Sequence, residues 1–109
     1  MAFNGNEGEM IDAGTAQKWI DNYQKDLPPG GIQGEFFGFR KLSQLLGQDG
    51  SIGLRIYYAK DDNGVNTLVV VAANEAQKNL APITGGVALS DGSEGLVLDR
   101  GEKCPPYCP

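Results

Sequence analysis

The run from residue 52 to residue 73 constrains this chain more than any other. Ile52, Leu54, Ile56 and Tyr58 alternate with Gly53, Arg55, Tyr57 and Ala59, the period-two pattern of a strand with one buried face. Asp61-Asp62-Asn63-Gly64 follows. Asn-Gly between two β-prone runs is a strong hairpin signal, because both residues tolerate the positive φ of a tight turn. Thr67-Leu-Val-Val-Val-Ala-Ala73 then returns, apolar on both faces, as a central strand covered on both sides for part of its length. A lone hairpin is marginal in water, so the rest of the chain has to supply that cover.

Two helical stripes are available. Ala16, Trp19, Ile20, Tyr23 and Leu27 share one side of a helix, with Asp12 as its N-cap and Thr15 a later alternative. Gly14 weakens the first turn by about 1 kcal/mol relative to Ala, and Pro28-Pro29 ends the helix. Phe39, Leu42, Leu45 and Leu46 form a shorter stripe that stops at Gly47, expected as a left-handed cap. Residues 32–37 read as a short edge strand broken by Gly34. Val87-Ala-Leu89 and Leu96-Val-Leu98 are β-prone pieces suited to a weak second hairpin.

The fold class expected is α+β: two helices packed on one face of a small antiparallel sheet centred on the 52–60/65–73 hairpin. With 109 residues the chain has room for one domain. It is placed at 11–98, between a flexible arm at 1–10 and a Cys/Pro-rich tail at 99–109. The expected core is Trp19, Ile20, Tyr23, Leu42, Leu45, Leu46, Ile52, Leu54, Ile56, Leu68 and Val70, with Val69 and Val71 only partly covered. The tail has little to bury, so deleting residues 100–109 is expected to leave the melting temperature nearly unchanged.

Histidine is absent, which removes Ser-His-Asp and Cys-His catalysis and His-bearing zinc sites. Only two cysteines are present, Cys104 and Cys108, so a four-thiolate site needs two chains. A net charge of −5 argues against nucleic acid and anionic membrane as partners. No segment approaches the roughly 20 apolar residues of a membrane span. The first residues lack the basic end and apolar run of a signal peptide, which points to the cytoplasm.

Cys104-Pro-Pro-Tyr-Cys108 is the most unusual motif. It is a small disulfide ring, half of a metal clasp, a substrate for modification, or a reduced tail without structure. An extended Pro-Pro path at about 3.1 Å per residue holds the two Cα atoms roughly 12 Å apart, whereas a disulfide needs about 7 Å or less. Ring closure therefore requires a turn at the Pro-Pro step. Arg55 and Tyr57 make one face of the first strand polar and aromatic, a candidate binding surface unless a loop packs over it. Asp61-Asp62-Asn63 fails as a calcium loop, because the closing Glu position falls on Ala72 inside a strand. Glu35, beside Phe36 and Phe37, is expected as an exposed edge-strand residue rather than a catalytic acid.

Several of these pieces occur together in a group of small, uncharacterised bacterial proteins. They are Ala16, Lys18, Trp19, Asn22 and Tyr23; Glu35-Phe-Phe-Gly38; the leucines at 42, 45 and 46; Gly53-Leu-Arg-Ile-Tyr-Tyr58 with Thr67-Leu-Val-Val70; and the Cys-Pro-Pro-x-Cys tail at 104–108. The chain resembles that group over residues 11–73 and the tail, and departs from it in the glycine-rich stretch between. The resemblance implies no activity. The function expected is a non-enzymatic protein-binding or interaction module without cofactor. The alternative is a precursor or carrier whose Cys-Pro-Pro-Tyr-Cys tail is oxidised, modified or processed. A monomer is expected, its own late segments covering the sheet edge, with homo-oligomerisation by edge pairing as the other outcome.

Overall fold

A computed structural model describes residues 2–109. It shows a small α+β fold of two helices and two antiparallel sheets. In chain order the elements are α1 (Ala13–Gln24), β1 (Gly34–Phe36), α2 (Phe39–Leu46), β2 (Gly53–Lys60), β3 (Asn66–Ala73), β4 (Val97–Leu98) and β5 (Glu102–Cys104).

The hairpin forms as its alternation dictates. β2 pairs with β3 from Gly53↔Ala73 to Lys60↔Asn66. The turn is fixed by Asp61, whose Oδ1 accepts the amides of Asn63 and Val65, both at 2.9 Å, while Gly64 takes φ +78°. Register puts Leu54, Ile56 and Tyr58 on one face with Leu68, Val70 and Ala72. α2 packs there: Leu45 (2% exposed), Val70, Ala72 and Leu80 form the core, with Phe37, Leu42, Leu54, Leu89 and Leu98 against them. Gly47 ends α2 in the right-handed region, φ −78°, not the left-handed cap expected. The positive φ falls at Gly50 instead.

α1 begins as its sequence predicts. The Asp12 carboxylate accepts the Thr15 amide at 2.8 Å and the Thr15 hydroxyl at 2.7 Å. Its stripe, however, finds no core. Trp19 is 58% exposed, and Ile20 and Tyr23 are exposed with it, correcting the expectation that they are buried. The reason is occupancy. α2, Phe37, Leu89 and Leu98 already fill the sheet face over Val70 and Ala72. Leu46, Ile52 and Ile56 also remain exposed.

The late segments divide differently from a second hairpin. β4 joins the edge of β3 at Val70↔Leu98 and Val71↔Val97, while residues 87–89 form no strand. Ahead of them, residues 79–80 run along the edge of β3, where the Leu80 amide donates to the Ala72 carbonyl. The Asn79 and Thr84 side chains turn onto the other sheet face, on which Val71 is fully buried rather than partly covered. Strand order in the larger sheet is β2-β3-β4. β4 therefore covers part of β3's edge and leaves β2 as an open edge strand.

The tail is not separate from the fold. Its first part, β5, pairs with β1 from Gly34↔Cys104 to Phe36↔Glu102. Gly101 makes this corner possible, because a Cβ there would collide with the carbonyl of Phe36 and the ring of Phe37. Arg100, just before it, takes a positive φ of 63°.

Candidate functional site

Glu35 is the feature that sequence reasoning placed wrongly. Its side chain is 1% exposed, because β5 lies against β1 and the corner at 99–101 closes over it. The carboxylate is fully engaged. Oε1 accepts the Leu68 amide at 3.1 Å, and Oε2 accepts the Gly101 amide at 2.9 Å and the Lys103 ammonium at 3.3 Å. The Thr67 hydroxyl lies 3.5 Å from Oε1 but is 2.6 Å from Asp99 Oδ1, and donates its single proton to the nearer oxygen. Leu68 lies beyond the two β3 residues that β4 pairs with. Glu35 thus supplies by side chain the acceptor that a longer β4 would supply by main chain, and it joins the two sheets. Every oxygen is committed to a donor, so this carboxylate is a structural keystone rather than a free acid or base. Only the partners at 99–103, remote in sequence, could have revealed it.

Burial pushes the Asp99 carboxyl up. Hydrogen bonds from Thr67 and the Arg100 amide, with the charges of Lys103 and Arg100, outweigh this and hold it below the usual carboxylate range.

The surface expected at Arg55 and Tyr57 is occupied by the chain's own 77–84 stretch. Arg55 donates to Asn79 Oδ1 at 2.6 Å and to the Gln77 carbonyl at 3.3 Å. The Tyr57 hydroxyl meets Thr84 at 2.8 Å and accepts from the Asn79 amide at 2.8 Å. Hydrogen bonding to Thr84 and Asn79 holds the phenol below its ordinary range. Phe3 adds to the cover: its ring sits 5.7 Å from the Arg55 guanidinium and its amide donates to the Glu75 carbonyl. The arm at 1–10 is therefore attached at Phe3.

Cys104 and Cys108 are joined in a disulfide with Cα atoms 4.7 Å apart. The chain does not follow the extended Pro-Pro path; both Cys104-Pro105 and Pro105-Pro106 are cis. Among the described residues, no group of three or more His, Cys, Asp or Glu is placed to hold a metal ion.

What remains open lies around β2. Among the described residues its outer edge has no strand partner over eight residues; it contains no proline, and carries Ile56 at 53% and Tyr58 at 94% exposure. Two hollows flank the hairpin. One, of about 540 Å³, runs between Tyr23, Ile32–Glu35 and the hairpin end at Tyr58, Ala59 and 66–68. The other, of about 420 Å³, follows β2 from Ile52 to Ile56, with Phe3, Gly5, Glu7 and Ala73 around it.

The chain matches no protein-family model, no curated protein and no solved structure. The geometry of β2 therefore carries the functional reading. No helix among the described residues is long and apolar enough to cross a membrane.

Proposed function

We propose that the protein is a non-enzymatic interaction module that receives an extended polypeptide segment along the outer edge of β2. The observation that carries this is an unpaired, proline-free edge of eight residues beside exposed Ile56 and Tyr58. Natural sheets blunt such edges with prolines, bulges or charges, or cover them. Of the two charges in the strand, Arg55 is turned inward to Asn79, and only Lys60, at its far end, stands exposed. Main-chain pairing supplies affinity in strand addition, and alternate side-chain sites supply selectivity. The hollows at either end of the edge provide those sites.

The rival role, a precursor processed at its tail, fits less well. Cleavage at the corner ahead of Glu102 removes β5 and, with it, Lys103, the ion-pair partner of buried Glu35.

A photo-crosslinking side chain at position 58, compared with one at Lys41 on exposed α2 surface, tests the proposal in cells. Polypeptide adducts that form at 58 and not at 41 support it. No adducts at 58, or equal adducts at both positions, refute it.

A further inference from the structure

We infer that the strand received by β2 is β2 of a second copy of this chain, paired antiparallel about a two-fold axis through Ile56; this rests on β2 being the contact edge. Three observations lead there. The first is main-chain phase. The Leu68 amide is bonded to Glu35, and the Ala72 carbonyl to the Leu80 amide at 2.9 Å, so both point away from β2. In an antiparallel pair, groups that turn away on one strand are matched by groups that turn away on the other. The partners of Leu68 and Ala72 are Tyr58 and Leu54. Leu54, Ile56 and Tyr58 therefore present the free N–H and C=O groups of the outer edge. A two-fold through Ile56 bonds Ile56 to its own copy and Leu54 to Tyr58 of the other, so the same three residues serve both sides.

The second observation is side-chain match. That register sets three apolar pairs in a row on one face, Leu54–Tyr58, Ile56–Ile56 and Tyr58–Leu54. The two most exposed apolar residues of β2 gain cover together. Moving the axis to Tyr57 keeps the main-chain phase but sets Lys60 against Leu54.

The third is charge. With Ile56 on the axis, Lys60 of one copy lies opposite Ile52 of the other. Ile52 borders the same hollow as Glu7, and a Cβ on Gly5 would lie 3.6 Å from the Ile52 carbonyl. Amides of Asn4 and Gly5 donate to the Glu7 carboxylate at 2.9 Å and hold it below the usual carboxylate range, hence charged. Each copy thus offers a lysine at one end of β2 and a carboxylate at the other, and the two-fold sets each against its opposite. Neither Arg55 nor Lys60 meets a like charge across the pair. The net charge of −5 opposes association only weakly at physiological salt.

Sedimentation over a wide concentration range, with charge variants, tests this. The wild type is expected to approach the mass of two chains as concentration rises. Lys60→Glu should weaken the dimer by about tenfold, since two symmetric contacts are reversed, and Glu7→Lys added to it should restore association. Both positions are exposed, so circular dichroism should report an unchanged fold. Ile56→Cys should cross-link to itself on oxidation, since a bonded antiparallel pair holds Cα atoms about 5.5 Å apart. Val97→Cys, on the far side of the sheet, should not. A monomer at every concentration, or a dimer insensitive to the charge reversal and its swap, overturns the inference. If the chain stays monomeric while position 58 still cross-links to a different polypeptide, self-pairing fails and the interaction edge stands. If position 58 captures nothing, both fail.

Discussion

Replacing Glu35 by alanine would remove the one acceptor shared by two elements that are far apart in the chain. The amides of Leu68 and Gly101, which it binds at 3.1 and 2.9 Å, would be left without their partner. An unsatisfied buried donor costs about 1–3 kcal/mol, so the pair sets a range of about 2–6 kcal/mol. Lys103 adds little, because its side chain is 23% exposed and its ammonium can turn to water. Removing the carboxylate also relieves the cost of having buried it, which brings the expected loss to about 3 kcal/mol. At the usual unfolding entropy per residue, a chain of 109 residues loses about 4 °C per kcal/mol, or about 12 °C in all. Glu35→Gln keeps one oxygen and turns an NH2 toward the remaining donors, so it should lose about 2 kcal/mol. Lys103→Met should cost less than Glu35→Ala, since both backbone amides still hold the carboxylate. Urea unfolding measures the losses, and hydrogen exchange at Leu68 and Gly101 reports whether those amides open. A Glu35→Ala loss below about 0.5 kcal/mol, the range of ordinary surface changes, would refute the keystone role. So would unchanged protection at both amides.

Deleting residues 100–109 strips Gly101 and Lys103 from Glu35, and differential scanning calorimetry should show a drop of at least about 10 °C, whereas deleting 106–109 leaves those partners in place and should cost far less. Leu45→Ala should cost about 2–5 kcal/mol in denaturant melts, because Leu45 is 2% exposed within the core; Trp19→Ala should stay within about 0.5 kcal/mol, and acrylamide should quench Trp19 freely. Asp99 has its carboxyl held below the ordinary range in the folded state, so its contribution is present above its unfolded value near 3.9 and is lost as pH falls through the lower folded value. Thr67→Val removes a donor that favours the charged form and so raises the folded value, so the acid-side fall in stability should still begin near the unfolded value but level off at higher pH and be smaller in total; identical pH profiles would refute the coupling.

The hairpin, both helices and the Asp12 cap were legible in the residues alone, because each is set by neighbours within a few positions. Alternation along 52–59, the Asn63-Gly64 turn and the 3.6-residue stripes act locally. They specify a small α+β fold whatever else the chain does. Which stripe finds cover is a different question, since periodicity shows that a helix is amphipathic but not what it meets. α2 and α1 carry similar stripes; α2 buries Leu45 and α1 buries nothing. The same limit applied to polar residues. Arg55 and Tyr57 looked like a presented surface, yet Asn79 and Thr84 claim them from more than 20 positions away. Glu35 looked exposed on a glycine-broken strand, yet β5 and the corner at Gly101 close over it. Those contacts depend on how β1, β3 and β5 meet in space, and nothing in the spacing of residues 32–37 encodes a partner 66 positions further on. Tertiary pairing also decided which edge stays open: β4 was free to join either side of the hairpin and joined β3, which leaves the Tyr58 side of β2 unpaired.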